Sequence, residues 1–158
     1  MFKKVLIANR GEIAVRIMRT LKEMNITCVA VYSDVDRNAL HVRHADEAYN
    51  IGAAEPRQSY LNAEKILQVA QKAHVDAIHP GYGFLSENGK FAKLCEEAKI
   101  VFIGPSSKTI ADMGDKIRAR EIMRNAGVPV VPGGIITKSM NDEAILKLAD
   151  SVGFPVMV

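Results

Sequence analysis

Apolar residues in this chain fall into short continuous runs, separated by longer segments in which they recur every three to four positions. A continuous run is typical of a strand covered on both faces, and the wider spacing is typical of an amphipathic helix. Because strands and helices alternate, the chain is predicted to form right-handed βαβ units. The expected fold is α/β, with a doubly wound, mostly parallel, Rossmann-like sheet. The predicted strands are residues 5–8, 26–31, 45–51, 75–78 and 100–103.

Polar residues mark where several of the predicted helices begin. Serine and asparagine side chains accept hydrogen bonds from the free N–H groups of a first helical turn. Ser59 or Asn62 is therefore expected to cap the helix that precedes the fourth strand. Ser86 is expected to cap the helix that follows it, whose apolar face includes Phe91 and Cys95.

The pattern changes after residue 105. Asp115 is predicted to cap a helix that ends at Asn125, and a last helix is predicted over residues 142–152. Residues 128–134 are predicted as a strand or an extended connector, and an apolar strand is predicted to begin at residue 154. We expect residues 1–112 to form one domain and residues 113–158 to begin a second. A chain that stops inside an apolar strand is expected to be a fragment of a longer protein.

Composition and charge exclude some partners. The net charge of +3 comes from 21 basic and 18 acidic residues without long runs, so neither a nucleic-acid arm nor a basic membrane patch is predicted. No apolar run approaches the ~20 residues of a membrane span. Cys28 and Cys95 lie in a strand pattern and on an apolar helix face, where we expect reduced, buried thiols.

Residues 79–88 are the most informative stretch. Pro80 restricts the preceding residue to extended conformations, and Gly81 and Gly83 permit backbone angles that other residues avoid. Tyr82 and Phe84 place two rings beside these glycines. Loops at the carboxyl ends of parallel strands form ligand crevices, so the stretch is either a binding loop or a tight turn over two packed rings.

Three other patterns resemble known sites only in part. The turn at residues 9–14 has one glycine where a dinucleotide fingerprint needs three, although Asp34 lies where a ribose-binding acid would. Residues 34–45 begin like a calcium loop but lack its glycine and its final glutamate, so Asp34 and Asp36 are interpreted as turn and cap residues. His41 and His44 lie near two acids, yet a solvated helix face is favoured over a metal site.

Two groups of charged residues permit a structural or a functional interpretation. Arg19 and Glu23 lie on the polar stripe of the first helix, where they can form an i, i+4 pair on a solvated face or contact another subunit. Lys116 lies in the first turn of a helix, where the helix dipole disfavours a cation. It either extends into solvent or, with the helix N–H groups, faces a bound anion such as phosphate.

Seven strings, in order, resemble the biotin carboxylase family and cover nearly the whole chain. The most specific is AIHPGYGFLSEN at residues 77–88. The others are KVLIANRGEIA at 4–14, ADEA at 45–48, SYLN at 59–62, FIGP at 102–105, MGDK at 113–116 and AGVP at 126–129.

The resemblance implies the N-terminal domain of a biotin carboxylase and the start of its ATP-grasp domain. Such enzymes use ATP with Mg²⁺ or Mn²⁺ to activate bicarbonate through carboxyphosphate, and they carboxylate biotin on a carrier protein. By resemblance, Lys116 contacts ATP, Tyr82 and Gly83 border the biotin and bicarbonate site, and Arg19 and Glu23 contact the second subunit of a homodimer. The glycine-rich ATP loop, the metal-binding carboxylates and the catalytic arginine are expected beyond residue 158, so this segment alone is expected to be inactive.

The resemblance also implies partners. These are a biotin carboxyl carrier domain and a carboxyltransferase, with no nucleic acid and no membrane. The expected parent is an acyl-CoA carboxylase α chain, with the N-terminal region of a pyruvate carboxylase as the alternative. The expected compartment is the cytoplasm, or the mitochondrial matrix if a transit peptide was removed. A different class of function also stays open, namely a non-catalytic Rossmann-like binding or scaffolding domain.

Overall fold

The computed structural model of the chain describes residues 1–157. Five parallel strands form one sheet in the order β3-β2-β1-β4-β5. The strands are β1 (Lys4–Ile7), β2 (Thr27–Ser33), β3 (Glu47–Gly52), β4 (Ala77–His79) and β5 (Val101–Phe102). The helices are α1 (Gly11–Glu23), α2 (Leu40–His44), α3 (Ala63–Lys72), α4 (Gly89–Glu97), α5 (Ser107–Gly114), α6 (Lys116–Asn125) and α7 (Asp142–Val152). The predicted α/β, doubly wound, parallel fold is confirmed.

Alternate residues of the central strands face two separate hydrophobic cores. Leu6 of β1 belongs to the core formed with α3 and α4, whereas Val5 and Ile7 belong to the core formed with α1. Both faces of β1 are therefore covered, which explains why its sequence is continuously apolar rather than alternating. Cys28 and Cys95 lie in these cores as free thiols, and burial raises the pKa of each to about 11.

An exposed carboxylate connects the start of the chain to the start of β4. Asp76 Oδ2 accepts hydrogen bonds from the backbone N–H groups of Lys3 at 2.6 Å and Lys4 at 2.9 Å. The N–H of Asp76 in turn donates to the carbonyl oxygen of Lys4. These contacts lie at the amino ends of β1 and β4, opposite the edge where their following loops meet.

Several sequence predictions need correction. Asn88, not Ser86, caps α4 by accepting from the N–H of Phe91 at 3.0 Å, because the chain makes an additional turn before the helix begins. Asn62, one of the two predicted caps, does cap α3. Residues 128–134 have no regular secondary structure, so of the two predicted alternatives the connector stands and the strand does not. Residues 154–157 also form no strand, and Val158, the remaining residue of the last predicted strand, lies outside the described part. The short helix α2 contains His41 and His44, which were expected to lie on a helix.

The chain divides into two compact units, Met1–Ala111 and a second unit that begins at Asp112. The first contains the sheet, and the second contains α6 and α7. Asp115 caps α6 as predicted, and Arg118 forms an ion pair with Asp112 at 2.6 Å. Within the 157 described residues, no helix combines the length and apolar character needed to cross a bilayer.

Candidate functional site

The loop after β4 lies where the winding of the sheet reverses. From β1 the chain builds β2 and β3 on one side, and it then crosses back to place β4 and β5 on the other. In open parallel sheets, ligands bind at the carboxyl ends of the strands beside this reversal. The N–H of Ala8 donates to the carbonyl oxygen of His79 at 2.9 Å, so the loops that follow β1 and β4 start side by side.

The loop has an uncommon backbone conformation. Gly81 and Gly83 have φ of 67° and 64°, and Phe84 has a positive φ of 43° although it carries a side chain. A Cβ atom at Gly83 would meet no atom within 4 Å, so a side chain there is disfavoured by the backbone angle rather than by a clash. Tyr82, between the glycines, is 65% exposed. The loop therefore presents a ring beside open space.

Asn9, directly after β1, is hydrogen-bonded to the backbone of this loop. The residue is 2% exposed, and its Nδ2 donates to the carbonyl oxygens of Pro80 at 2.9 Å and Tyr82 at 2.8 Å. Its Oδ1 accepts from the N–H of Arg10 at 2.9 Å. No functional role for Asn9 was predicted from the sequence. The available signal was an amide side chain directly after an apolar strand, at the predicted crevice.

A stacked pair of rings supports the other end of the loop. The rings of Phe84 and Tyr60 have centroids 5.2 Å apart. The hydroxyl of the buried Tyr60 accepts from the N–H of Ser33 at 3.0 Å and donates to Asp36 at 2.7 Å. Burial, and then the hydrogen bond to Asp36, raise the pKa of Tyr60 to about 12. Burial alone would raise the pKa of Asp36, but hydrogen bonds from Tyr60 and Ser33 and the nearby Arg10 outweigh it and lower that pKa.

His41 and His44 were both predicted to lie on a solvated helix face. The prediction is wrong for His41, while His44 is exposed. His41 is fully buried, and its Nδ1 accepts from the N–H of Gly11 at 3.4 Å. Its Nε2 lies 3.3 Å from the carbonyl oxygen of Val31 and donates to it in the neutral tautomer. Burial lowers the pKa of His41, which favours that neutral form. Because its first N–H is occupied, α1 does not offer this group to a phosphate.

The acids near these histidines have other partners. Asp46 accepts from the N–H of Cys28 at 2.7 Å, and Glu47 pairs with Lys4 at 2.6 Å. Asp34 accepts from Asn50 at 2.8 Å, so it is occupied within the fold at the position expected for a ribose-binding acid. Within residues 1–157, the His, Cys, Asp and Glu side chains form no group of three that could hold a metal ion.

Lys116 is the first residue of α6 in the second unit. The carboxylate of Asp115 already accepts from the N–H groups of Ile117 at 2.9 Å and Arg118 at 3.0 Å. These two N–H groups are therefore occupied within the fold and are not open to an anion beside Lys116. The lysine instead lines an open groove of about 420 Å³. The groove is also lined by Ile117, Arg120, Glu121, Arg124, Gly133, Gly134, Ile135 and Ile136.

This groove carries an excess of positive charge. Lys116, Arg120 and Arg124 are spaced four residues apart on α6 and so share one face, and Glu121 is the single acid among the described residues that line the groove. Opposite them is an extended glycine pair, and a Cβ atom at Gly133 would lie 2.6 Å from the Arg120 guanidinium. A basic helix face against a close backbone segment is suited to binding an anionic group.

Arg19 and Glu23 both lie on the exposed face of α1. Among the ion pairs of the described residues, none joins Arg19 to Glu23, although their spacing permits one. Beside them is an open groove of about 430 Å³, which is lined by Arg16 and Thr20 of α1 and by Met24, the residue that follows this helix. The groove is mostly apolar and extends to His79 and Tyr82.

The sequence matches a known family over most of its length. Residues 1–110 match the family described as biotin carboxylase, N-terminal domain. The chain belongs to the biotin carboxylase family. Residues 115–158 match the ATP-binding domain of the carbamoyl-phosphate synthase L chain. The resemblance found from the sequence strings is therefore confirmed for the family and for the start of an ATP-binding domain.

Curated relatives match this chain from end to end. The biotin carboxylase of Halalkalibacterium halodurans is 58% identical over 100% of this chain and 35% of that protein. A pyruvate carboxylase subunit of Methanothermobacter thermautotrophicus is 54% identical over 100% of this chain and 32% of that protein. The alpha subunit of the mitochondrial methylcrotonoyl-CoA carboxylase of Mus musculus is 56% identical over 98% of this chain and 22% of that protein. The chain thus spans about a third or less of these relatives.

Solved structures of this family have the same architecture. The biotin carboxylase domain of a thermophilic 2-oxoglutarate carboxylase, bound to bicarbonate, matches with a TM-score of 0.91 and 53% identity over 99% of this chain and 35% of that one. The dimer of this domain from Hydrogenobacter thermophilus was solved in complex with MgADP, ADP and bicarbonate. It matches with a TM-score of 0.88 and 53% identity over 98% of this chain and 34% of that one. The biotin carboxylase fold of the described residues is therefore shown.

Proposed function

We propose that the full-length protein containing this chain is the biotin carboxylase of a biotin-dependent carboxylase. It would use ATP to activate bicarbonate as carboxyphosphate, and then carboxylate biotin held on a carrier domain. The observation that carries the proposal is the 58% identity to a biotin carboxylase along the whole chain. The match includes both candidate segments of the chain, the loop at Tyr82 and the helix start at Lys116.

We assign the Tyr82–Gly83 segment to the biotin and bicarbonate side of the site. Its geometry supports this role, because an exposed ring next to open space can pack against a flat ureido ring. The absence of a side chain at Gly83 lets a ligand approach the backbone closely. The position at the reversal of the parallel sheet is where the fold class binds ligands.

Lys116 is assigned to the ATP phosphates. An ammonium group that lines a basic groove can form a charge-assisted hydrogen bond with a phosphate oxygen. Mg²⁺, or Mn²⁺, would neutralise phosphate charge during phosphoryl transfer. The family resemblance assigns the metal-binding carboxylates to the remainder of the parent. This segment alone is accordingly expected to be inactive.

A homodimer is proposed through the exposed face of α1. Arg19 and Glu23 supply one charge of each sign, which suits a two-fold interface in which the same surface meets itself. Met24, at the end of this face, is 49% exposed and lines the neighbouring apolar groove. The related domain from Hydrogenobacter thermophilus was solved as a dimer.

We further propose that the parent is the α chain of an acyl-CoA carboxylase, which works with a carboxyl carrier domain and a carboxyltransferase. The 56% identity to a methylcrotonoyl-CoA carboxylase supports an acyl-CoA acceptor, and the 54% identity to a pyruvate carboxylase supports pyruvate as the second candidate. The two free, buried cysteines fit a reducing compartment, for which we propose the cytoplasm, with the mitochondrial matrix as the alternative.

The direct test is ADP release by the purified full-length protein. We expect release that requires bicarbonate and increases when biotin is added. ATP cleavage that is indifferent to biotin would point to another ligase chemistry, and no ATP cleavage would favour the non-catalytic binding domain. The carboxyltransferase complex, supplied with acetyl-CoA, propionyl-CoA, methylcrotonyl-CoA or pyruvate, then identifies the acceptor by the product formed.

A further inference from the structure

The hydrogen bonds within the loop that carries Tyr82 do not fix its whole backbone. Two glycines and Phe84 have positive φ within four residues, and such a conformation persists only where surrounding contacts determine it. Within the loop, the N–H of Gly81 donates to His79 Nδ1 at 3.0 Å, and the N–H of Ser86 donates to the carbonyl oxygen of Gly83 at 2.9 Å. Neither bond fixes the carbonyl group of Tyr82, which precedes Gly83.

Asn9 supplies that missing contact. Its single amide nitrogen bonds the carbonyl oxygens of Pro80 and Tyr82, the residues on either side of Gly81. A Cβ atom at Gly81 would lie 2.7 Å from this nitrogen, so the backbone at Gly81 packs directly against the amide. Because Asn9 is buried and its oxygen bonds the N–H of Arg10, its amide orientation is fixed. Among uncharged side chains, the amide NH₂ group is the one that donates two hydrogen bonds from a single atom.

We propose that Asn9 is a positioning residue for the biotin side of the active site: its amide holds the Tyr82–Gly83 segment in the conformation that receives biotin. The inference rests on the proposed function, since it takes this segment to border biotin. Asn9 does not touch the substrate. It acts through two backbone carbonyl groups, so its loss raises the KM for biotin and leaves the KM for ATP unchanged.

The test uses two substitutions in the full-length protein. Asn9→Asp keeps the shape and the acceptor for the Arg10 N–H but replaces both donors by oxygen, which faces two carbonyl oxygens. Asn9→Ala removes the side chain. Asn38→Asp is the matched control, because it makes the same chemical change at an exposed position of the same unit. Biotin-dependent ADP release gives the KM for biotin and for ATP, and hydrogen exchange of the peptide over residues 80–88 reports on the loop.

We expect both Asn9 variants to raise the KM for biotin about tenfold or more, since each removes the two hydrogen bonds that the buried residue donates to the loop. The KM for ATP should change less than about twofold, and exchange should accelerate over residues 80–88 but not over α3. Asn38→Asp should behave as wild type. An unchanged KM for biotin, parallel changes in both KM values, or unchanged loop exchange would overturn the proposal.

The wild-type protein provides a measurement that does not depend on the variants folding. A loop already held by Asn9 should exchange slowly without ligand and change little when biotin is added. Fast exchange that biotin strongly suppresses would contradict a preformed loop. If the wild type shows no biotin-dependent ADP release, the proposed function fails, and the exchange comparison still tests whether Asn9 holds the loop.

Discussion

The ring of Tyr60 lies parallel to the ring of Phe84, with 5.2 Å between the centroids and 16° between the ring planes. Phe84 belongs to the candidate binding loop, and the hydroxyl group of Tyr60 is bonded to Ser33 and Asp36 at the end of β2. The stack therefore connects the loop after β4 with the carboxyl end of β2, two strands away in the sheet.

Tyr60→Phe should keep this stack and remove the hydroxyl group. The N–H of Ser33, in a fully buried residue, would lose its acceptor, and Asp36 would lose a donor. We expect the free energy of unfolding to fall by about 1–3 kcal/mol, measured by urea denaturation. Tyr82→Phe is the control, since its exposed ring should give a change within about 0.5 kcal/mol. Equal stability of the two variants would mean that the buried hydroxyl is not needed.

Asp76 should make stability dependent on acid pH. Hydrogen bonds from the backbone N–H groups of Lys3 and then Lys4 hold the pKa of Asp76 below its usual 3.8. A carboxylate with a lowered folded-state pKa stabilises the fold above the unfolded value, and this stabilisation is lost as the pH falls through the folded-state pKa. Asp76→Asn should therefore be less stable than wild type near neutral pH, and the difference should shrink in acid.

Urea denaturation at neutral pH and at steps below the usual pKa of 3.8 measures this dependence. Glu87→Gln serves as the control because Glu87 is an exposed carboxylate of the same unit. It should show no comparable change. A stability difference for Asp76→Asn that is constant with pH would show that the carboxylate charge is not the cause.

The sheet could be predicted from the sequence because its strands are covered on both faces and are therefore continuously apolar, as Val5 to Ile7 show. Local cap chemistry also placed α6, through Asp115. The same reasoning misplaced the start of α4, because Ser86 and Asn88 are both good caps and only the tertiary turn selects between them. The role of Asn9 depends on Pro80 and Tyr82, and the position of His41 depends on Gly11. These partners are distant in sequence, so the periodicity of apolar residues could not predict the contacts.

Substitutions of Gly83 can distinguish the effect of backbone strain on stability from the effect of a side chain on ligand binding. Gly83→Val in the full-length protein should lose about 1–2 kcal/mol of stability, because a branched residue is disfavoured at a φ of 64°. Gly83→Asn should lose less, since asparagine tolerates this region. Both should raise the KM for biotin, because either side chain enters the open space beside Tyr82.

Gly127 supplies the matched control for this experiment. It has a φ of 74° and open space around a Cβ atom, but it lies after α6 in the second unit. Gly127→Val should lose a similar amount of stability without changing the KM for biotin. If Gly83→Asn retained the wild-type KM for biotin, the glycine would serve only the turn, and the assigned role of this segment would fail.

Charge reversal tests the proposed dimer contact. In the full-length protein, Arg19→Glu and Glu23→Arg should each weaken dimerisation, and the double swap should recover part of it, because opposite charges meet again across a two-fold axis. Sedimentation velocity over a concentration series measures the association. Lys90→Glu, on the exposed surface of α4, is the control and should leave association unchanged. Unchanged association in all variants would mean that Arg19 and Glu23 lie on a solvated helix face and do not contribute to the dimer contact.

The most direct test of the whole account is the transfer of label from bicarbonate to biotin by the full-length protein, followed as ATP is titrated. The wild type should transfer label only when ATP is present. Lys116→Gln should need roughly ten- to hundredfold more ATP, because one charge-assisted hydrogen bond to phosphate is worth about 1.5–3 kcal/mol. Its biotin dependence and its thermal stability should stay close to those of the wild type. Absence of label on biotin would contradict the proposed function, and an ATP dependence unchanged by Lys116→Gln would contradict the ATP contact assigned to this chain.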